Sequence, residues 1–182
     1  MIEPPPKQKH AVIVKDLGKE DINLLVQILR QHVRDLFTHD VVEDEVEAIQ
    51  DYMRGCADNS GRVRHYLVAN DENQRAVGCT AISTPDVDME RHFDIDATES
   101  LELLNVFVHA DYMGGNGIGR AMFTAACEYA KRQGARFLMV NSGPRYISSW
   151  GFYDRVCDSS HGFILNKYGP GRHAKTWKKK LQ

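Results

Sequence analysis

The chain has 182 residues, 42% hydrophobic and 26% charged, the proportions of one globular domain with room for a sizeable core. A formal net charge of −2 lacks the basic excess of a general nucleic-acid binder, and no apolar run is long enough to span a membrane. Cys56, Cys79, Cys127 and Cys157 show no C-x-x-C spacing, and the histidines form no H-x-H or H-x-x-x-H pair, so neither a redox pair nor a metal site is indicated.

Pro4-Pro5-Pro6 and two lysines mark residues 1–9 as a flexible lead-in, leaving 10–182 as a single domain. Met1 to Pro6 lacks the apolar stretch of a secretory leader, so the expected location is cytoplasmic. Ala11 to Val14 reads as a short strand. Polar residues from Asp16 to Asp21 offer helix caps, after which Ile22, Leu25, Leu29, Val33 and Leu36 share one helical face. A second helix begins near Val42, with Val42, Val46, Ile49 and Met53 on one side, and ends near Gly55 before a turn at Asp58-Asn59-Ser60-Gly61. Val63 to Ala69 and Ala76 to Ser83 form a hairpin about Asp71-Glu72-Asn73. Asp86 to Glu99 shows neither period and is rich in acids, which predicts a long loop. Leu101 to Val108 is the next strand, and Ala121 to Gln133 carries apolar residues at helical spacing, with Gly134 as its C-terminal cap. Phe137 to Val140 is wholly apolar, as a buried parallel strand would be. Pro144 to Tyr153 reads as a short helix and Gly162 to Tyr168 as the final strand, followed by a solvated basic end at Lys175, Lys178, Lys179 and Lys180.

Before the long helix lies Gly114-Gly115-Asn116-Gly117-Ile118-Gly119-Arg120. Glycines let the backbone take positive φ and approach a ligand. The amides that open a helix have no earlier carbonyl to bind, so a strand, a glycine turn and a helix start can hold phosphate. Spacing narrows the ligand. A P-loop needs Gly-Lys-Ser/Thr where Gly119-Arg120-Ala121 stands, and Gly115, Gly117 and Gly119 do not make the dinucleotide pattern G-x-G-x-x-G.

Gly117-Ile118-Gly119-Arg120-Ala121-Met122 resembles the second half of the loop R/Q-x-x-G-x-G/A of the GNAT superfamily of acyl-CoA-dependent N-acetyltransferases. Val106-Phe107-Val108-His109-Ala110-Asp111-Tyr112 resembles the strand end leading into that loop, and Trp150-Gly151-Phe152 is similar to the Gly-Phe after the family's last conserved helix. The similarity runs in order of elements over roughly Arg62 to Lys167. Gly114 departs from it, standing where the family has Arg or Gln, and Tyr112 to Gly117 is one residue longer than usual.

The strand, helix, strand unit from Leu101 to Val140 should be a right-handed βαβ crossover. The resemblance places it in an α/β (α+β) fold: a mixed, mostly antiparallel central sheet, helices on both faces, and the βαβ unit carrying the CoA loop. It implies acetyl-CoA as co-substrate and no metal. Gly115, Asn116, Gly117, Ile118, Gly119 and Arg120 would meet the pyrophosphate. The amides of Val106, Phe107 and Val108 would line the pantetheine arm, and Asn141 is similar to a family asparagine beyond the second strand.

Acetyl transfer to an amine needs a base, a donor for the thioester oxygen and support for the leaving thiolate. An amide between Phe107 and His109 suits the oxygen. Glu102 interrupts an apolar strand, near where some GNAT enzymes carry a glutamate that works through water, and burial would raise its pKa into the useful range. The alternative is a glutamate facing solvent at a strand start. For the thiolate, Tyr146 lies one residue from the family's tyrosine position, which Ile147 occupies; Ser148 and Tyr153 are the alternatives, and Tyr146 also fits plain helix packing. His109, at the strand end, is either a proton relay or structural.

In this family the acceptor cleft is rimmed by the N-terminal helices and inter-strand loops. Asp40, Glu43, Asp44, Glu45, Glu47 and Asp51 would make one rim acidic, and Asp86, Asp88, Glu90, Asp94, Asp96 and Glu99 the other. Acidic rims favour a cationic acceptor, unless these acids are simply solvated faces. The resulting expectation is an N-acetyltransferase moving acetyl from acetyl-CoA directly to a primary amine on a small or cationic molecule or a peptide. The alternative is a catalytically weak CoA-binding regulatory or interaction module. Neither nucleic acid nor membrane is an expected partner, and a homodimer is compatible with the sequence.

Overall fold

The computed structural model describes residues 11–55 and 64–181. Its strands are β1 (Ile13–Asp16), β2 (His65–Asn70), β3 (Ala76–Ser83), β4 (Ser100–Val108), β5 (Phe137–Ser142), β6 (Ser159–Ile164) and β7 (Ala174–Lys180). They form one seven-stranded sheet in the order β1-β2-β3-β4-β5-β7-β6, antiparallel at every step except the parallel pair β4–β5. The helices are α1 (Ile22–His32), α2 (Glu43–Met53), α3 (Val87–Phe93), α4 (Ile118–Arg132) and α5 (Trp150–Val156). This is the mixed, mostly antiparallel sheet with an embedded βαβ unit that the sequence predicts. Among the described residues no helix is long and apolar enough to cross a membrane.

Strand alternation sorts the core into two layers. Val68, Cys79, Ala81 and Phe107 pack with Leu25 and Leu29 of α1 and Val46 and Ile49 of α2. Their strand neighbours Leu67, Ile82 and Leu103 turn the other way, joining Leu138, Val140 and Trp177 against Phe123, Ala126 and Ala130 of α4 and Tyr153 of α5. Leu25, Leu29, Ala126 and Trp177 are fully buried, each large aliphatic contributing about 2 kcal/mol of transfer free energy. Helix α1 stops at His32 although the apolar stripe continues, because Val33 leaves helical geometry and its carbonyl accepts from Val42 N at 3.0 Å. Val33 remains buried; Leu36 lies in the connecting turn.

Several expected elements are corrected. Residues 86–99 are not one loop: Asp86 caps α3 by accepting from Met89 N, and Met89 and Phe93, one turn apart, are buried beside Met139. Two buried apolar positions in seven, beside an exposed Val87, were too few to show a period. The final strand is not Gly162 to Tyr168; β6 ends at Ile164, and Tyr168 lies in the turn that follows. The lysine-rich end is not a solvated tail but β7, inserted between β5 and β6. Its inward residues Ala174, Thr176 and Trp177 are buried, while Lys175 pairs with Asp154 and Lys179 with Asp158. Strand β1 starts two residues later than expected, at Ile13, in register with Asn70. The 1–9 lead-in, Cys56 and the 58–61 turn lie outside the described residues.

The feature that shapes the site is the parting of β4 from β5. Their pairing runs from Ser100↔Phe137 to Leu103↔Val140 and stops there. At the next step β4 bulges: Asn105 has φ +51, and the β3 register shifts between Cys79 and Ala81. Asn tolerates the left-handed region better than most residues, but the conformation still costs about 1 kcal/mol. Side chains hold it: Asn105 Oδ1 accepts from Arg64 Nη1 and Tyr66 Oη, both at 3.2 Å, while Thr80 Oγ1 donates to the Leu104 carbonyl at 3.1 Å. Beyond the bulge, His109 N donates to Val77 O at 2.8 Å. Alternation then turns the amides of Val108 and Val106 to the opposite edge, facing the gap.

Candidate active site

The glycine loop sits at the mouth of that gap. Gly114, Gly115 and Gly117 have φ of +80°, +108° and +80°, values that side chains rarely allow. A Cβ at Gly115 or Gly117 would meet nothing within 4 Å, so these glycines answer to backbone direction rather than crowding. Asn116 Nδ2 donates to Tyr112 O at 3.1 Å and pins the loop to the strand end. The first intrahelical bond of α4 is Ala121 N to Gly117 O, at 2.9 Å. The amides of Ile118, Gly119 and Arg120 precede it and point out of the helix end, where the macrodipole favours an anion. Left-handed glycines, outward amides and an open outer surface fit a pyrophosphate.

Phe152 supports the loop from behind. Its Cζ lies 3.6 Å from where a Cβ at Gly119 would stand, and its ring meets Phe123 edge-on at 6.2 Å. The Gly-Phe pair singled out in the sequence thus packs against the helix start.

At the foot of the gap is Glu102, with no exposed surface. Asn141 Nδ2 donates to its Oε1 at 2.6 Å and the Asp86 amide to its Oε2 at 3.1 Å. It pairs in register with Ser83 on β3 and Met139 on β5, so all three share the face that carries Leu104 and Phe107. Among the described residues, the hydroxyls of Ser83 and Ser100 on this face are buried without a hydrogen-bond partner. Glu102 is therefore not the solvent-facing strand residue that was its alternative.

Tyr146 reaches the same face. Its ring meets Phe107 edge-on at 6.0 Å, its hydroxyl lies 3.4 Å from Arg145 Nη1, and burial raises its pKa above the ordinary phenol value. Tyr153 instead lies in the opposite core layer, against Trp177, where burial raises its pKa still further. Ser148 is exposed. The Nδ1 of His109 accepts from Asp111 N at 3.3 Å and caps a short turn. His32 is the histidine beside the gap, stacked on Phe107 at 5.7 Å with Nε2 donating to Val108 O at 2.7 Å. Burial pushes its pKa below the usual value, outweighing that hydrogen bond.

The sequence profile of the acetyltransferase (GNAT) family matches residues 18–158. The chain belongs to the GNAT family of acetyltransferases. No curated protein matches it by sequence. Among solved structures, a Desulfovibrio desulfuricans protein assigned to the GNAT family superposes with TM-score 0.71 at 16% identity, covering 94% of this chain and 100% of that one. A Salmonella typhimurium protein described as an acetyltransferase, solved with its cofactor acetyl-CoA, gives 0.63 at 16% identity over 94% and 95%. Ribosomal-protein-alanine N-acetyltransferase from Brucella melitensis gives 0.63 at 20% identity over 93% and 99%. At these identities the likeness is one of fold.

In this GNAT chain six of the twelve rim acids are ion-paired. Glu43 pairs with Arg30, Glu45 with Arg145 at 2.7 Å, Asp51 with Arg54, Glu99 with Arg136, and Asp86 and Asp88 with Lys167. Three of the six acids expected on each rim are thus answered by a cation. Sequence reasoning also missed Lys167 and Tyr168. Tyr168 Oη donates to Asn141 Oδ1, and its ring packs over Gly143, where a Cβ would come within 2.7 Å of it. The run Tyr168-Gly169-Pro170-Gly171 is a turn signature that could have taken this segment out of a strand.

Proposed function

We propose that the chain transfers the acetyl group of acetyl-CoA directly to a primary amine of a small molecule or peptide end, without a covalent enzyme intermediate. The observation that carries the reading is Glu102, a buried carboxylate at the point where β4 and β5 separate, held by Asn141 and the Asp86 amide. Acetyl-CoA would supply the activated thioester. Gly115, Asn116, Gly117, Ile118, Gly119 and Arg120 hold its pyrophosphate through backbone amides, and the amides of Val106 and Val108 line the pantetheine arm as an added strand would, whereas that of Phe107, expected with them, turns toward β3.

His109 N is committed to Val77 O, and alternation turns Phe107 the same way. Val108 therefore supplies the amide directed at the thioester oxygen, with its own carbonyl fixed by His32. Glu102 is the base. Being fully buried, it takes the amine proton through a water, and the Ser83 hydroxyl directly across the strand pair suits that water's second contact. Tyr146, kept protonated by burial, supports the leaving thiolate. Because Glu45 and Asp86, the rim acids that act on Glu102 and Tyr168, are already paired, the acceptor amine is selected by the Glu102 pocket and the aromatic walls Phe107, Tyr146 and Tyr168 more than by long-range attraction of cations.

A second reading, a module that holds CoA without efficient transfer, rests on Gly114 standing where the family has Arg or Gln. Both readings give thermal stabilisation by acetyl-CoA; only the enzyme releases CoA in proportion to added amine.

A further inference from the structure

We infer that Lys167 and Tyr168, adjacent in the turn between β6 and β7, are the positioning residues that hold Glu102 as an ionised carboxylate directed into the gap. Tyr168 acts through Asn141 and Lys167 through Asp86. The inference rests on the role proposed for Glu102.

Asn141 Nδ2 donates to one oxygen of Glu102 and the Asp86 amide to the other, and each of these donors is held by one of the two turn residues. Asn141 has one acceptor and two donors at its amide. Tyr168 Oη donates to its Oδ1, which turns Nδ2 toward Glu102 Oε1. Were the amide reversed, two oxygens would face each other. Tyr168 keeps 44% of its surface exposed, yet its hydroxyl end turns inward; burial first, then the charges of Glu102 and Asp86, raise its pKa, so the phenol stays a donor.

On the other side, the Asp86 amide donates to Glu102 Oε2. Asp86 cannot shift freely, because its carboxylate caps Met89 N at 2.9 Å and pairs with the Lys167 ammonium, whose side chain is only 8% exposed. Lys167 also stands 3.5 Å from Asp88. It thus supplies the positive charge beside two carboxylates that would otherwise oppose the ionisation of Glu102.

The groups around Glu102 are Ser83 from β3, Ser100 from β4, Asn141 from β5, Asp86 ahead of α3, and Lys167 and Tyr168 from the turn. Glu45 and Tyr146 also act on Tyr168, and Arg145 pairs with Glu45. The turn thus reaches both donors, Asn141 through Tyr168 and Asp86 through Lys167. One turn therefore sets both the direction and the charge of the base, and movement of that turn by an acceptor would act on both together.

The test is a titration of the Glu102 carboxyl by NMR on protein labelled with carboxyl-13C glutamate, the resonance assigned by its loss in Glu102→Gln. Tyr168→Phe retains the ring over Gly143 and removes only the donor; Lys167→Met keeps an apolar stem and removes the ammonium with its charge and its bonds to Asp86 and Asp88. We expect the Glu102 midpoint to rise by about one pH unit or more in each variant, and the acid limb of kcat/KM to move with it while the acetyl-CoA KM holds. An unmoved midpoint in Tyr168→Phe overturns the inference, whether or not Lys167→Met folds. A shifted midpoint in a protein that acetylates no amine would uphold the positioning and overturn the proposed function; transfer with an unmoved midpoint does the reverse.

Discussion

The amide of Asn141 meets the carboxylate of Glu102 at 2.6 Å across the line where β4 and β5 stop pairing. This contact joins the two strands at the last point before the gap, and the proposed function makes Glu102 the base there. Glu102→Gln keeps the shape and removes the base. Steady-state kinetics should show kcat/KM for the amine falling by about 10²- to 10⁴-fold, the usual worth of a positioned base, with the acetyl-CoA KM little changed. Wild-type turnover in the variant would remove Glu102 from the chemistry.

The loop is tested by two glycines two residues apart, Gly117 and Gly119. Gly117 has φ +80 and open space around it, so Gly117→Val is opposed by backbone conformation, at about 1–2 kcal/mol, rather than by contact. If those amides bind the pyrophosphate, losing their direction raises the acetyl-CoA KM by about tenfold or more. Gly119 lies inside α4 with the Phe152 ring at an ordinary 3.6 Å, so Gly119→Ala should leave the KM nearly unchanged. Equal constants for a folded Gly117→Val and the wild type would refute the assignment.

Asn105 is the strained residue that opens the gap. Asn105→Ala keeps the left-handed demand and leaves Tyr66 Oη and Arg64 Nη1 without their acceptor, a loss of about 1–3 kcal/mol. Asn105→Gly removes the same acceptor but relieves the backbone. Denaturant unfolding should therefore rank wild type above Gly above Ala, with the acetyl-CoA KM raised most in Ala as the Val106 and Val108 amides shift. Wild-type stability in the Ala variant would contradict the clamp.

His32 gives a pH dependence with a definite sign. Its pKa in the folded protein is below the unfolded value of 6.5, chiefly because it is buried. Its neutral form is therefore favoured by folding. The stability it confers is present above about pH 6.5 and is lost as pH falls through the folded value. His32→Gln can still donate to Val108 O but does not titrate. The melting-temperature difference between wild type and His32→Gln should shrink as pH drops below about 6.5; a pH-independent difference would contradict it.

Much of this architecture was legible in the sequence because the periods were strong. The apolar faces of α1, α2 and α4, the hairpin β2–β3 and the wholly apolar β5 all follow from spacing, and the glycine loop followed from backbone chemistry. Elements whose stability comes from contacts distant in sequence were not legible. Strand β7 alternates buried Thr176 with lysines whose charges are answered by Asp154 and Asp158, twenty-one residues earlier. Helix α3 depends on the Asp86 cap and two buried side chains. The acids Glu45 and Asp86 looked like rims open to cations because their partners, Arg145 and Lys167, lie 100 and 81 residues away. Glu102 was visible as an acid in an apolar strand; that Asn141, Tyr168 and Lys167 converge on it is a property of the fold.

The most direct test is the release of CoA thiol from acetyl-CoA across a panel of neutral, zwitterionic and polycationic amines at two ionic strengths, with product mass confirming acetylation. We expect release that depends on the amine, depends only weakly on salt, and disappears in Glu102→Gln while acetyl-CoA still raises that variant's melting temperature. Stabilisation by acetyl-CoA with no amine-dependent release from any member of the panel would contradict the account and identify the chain as a CoA-binding module.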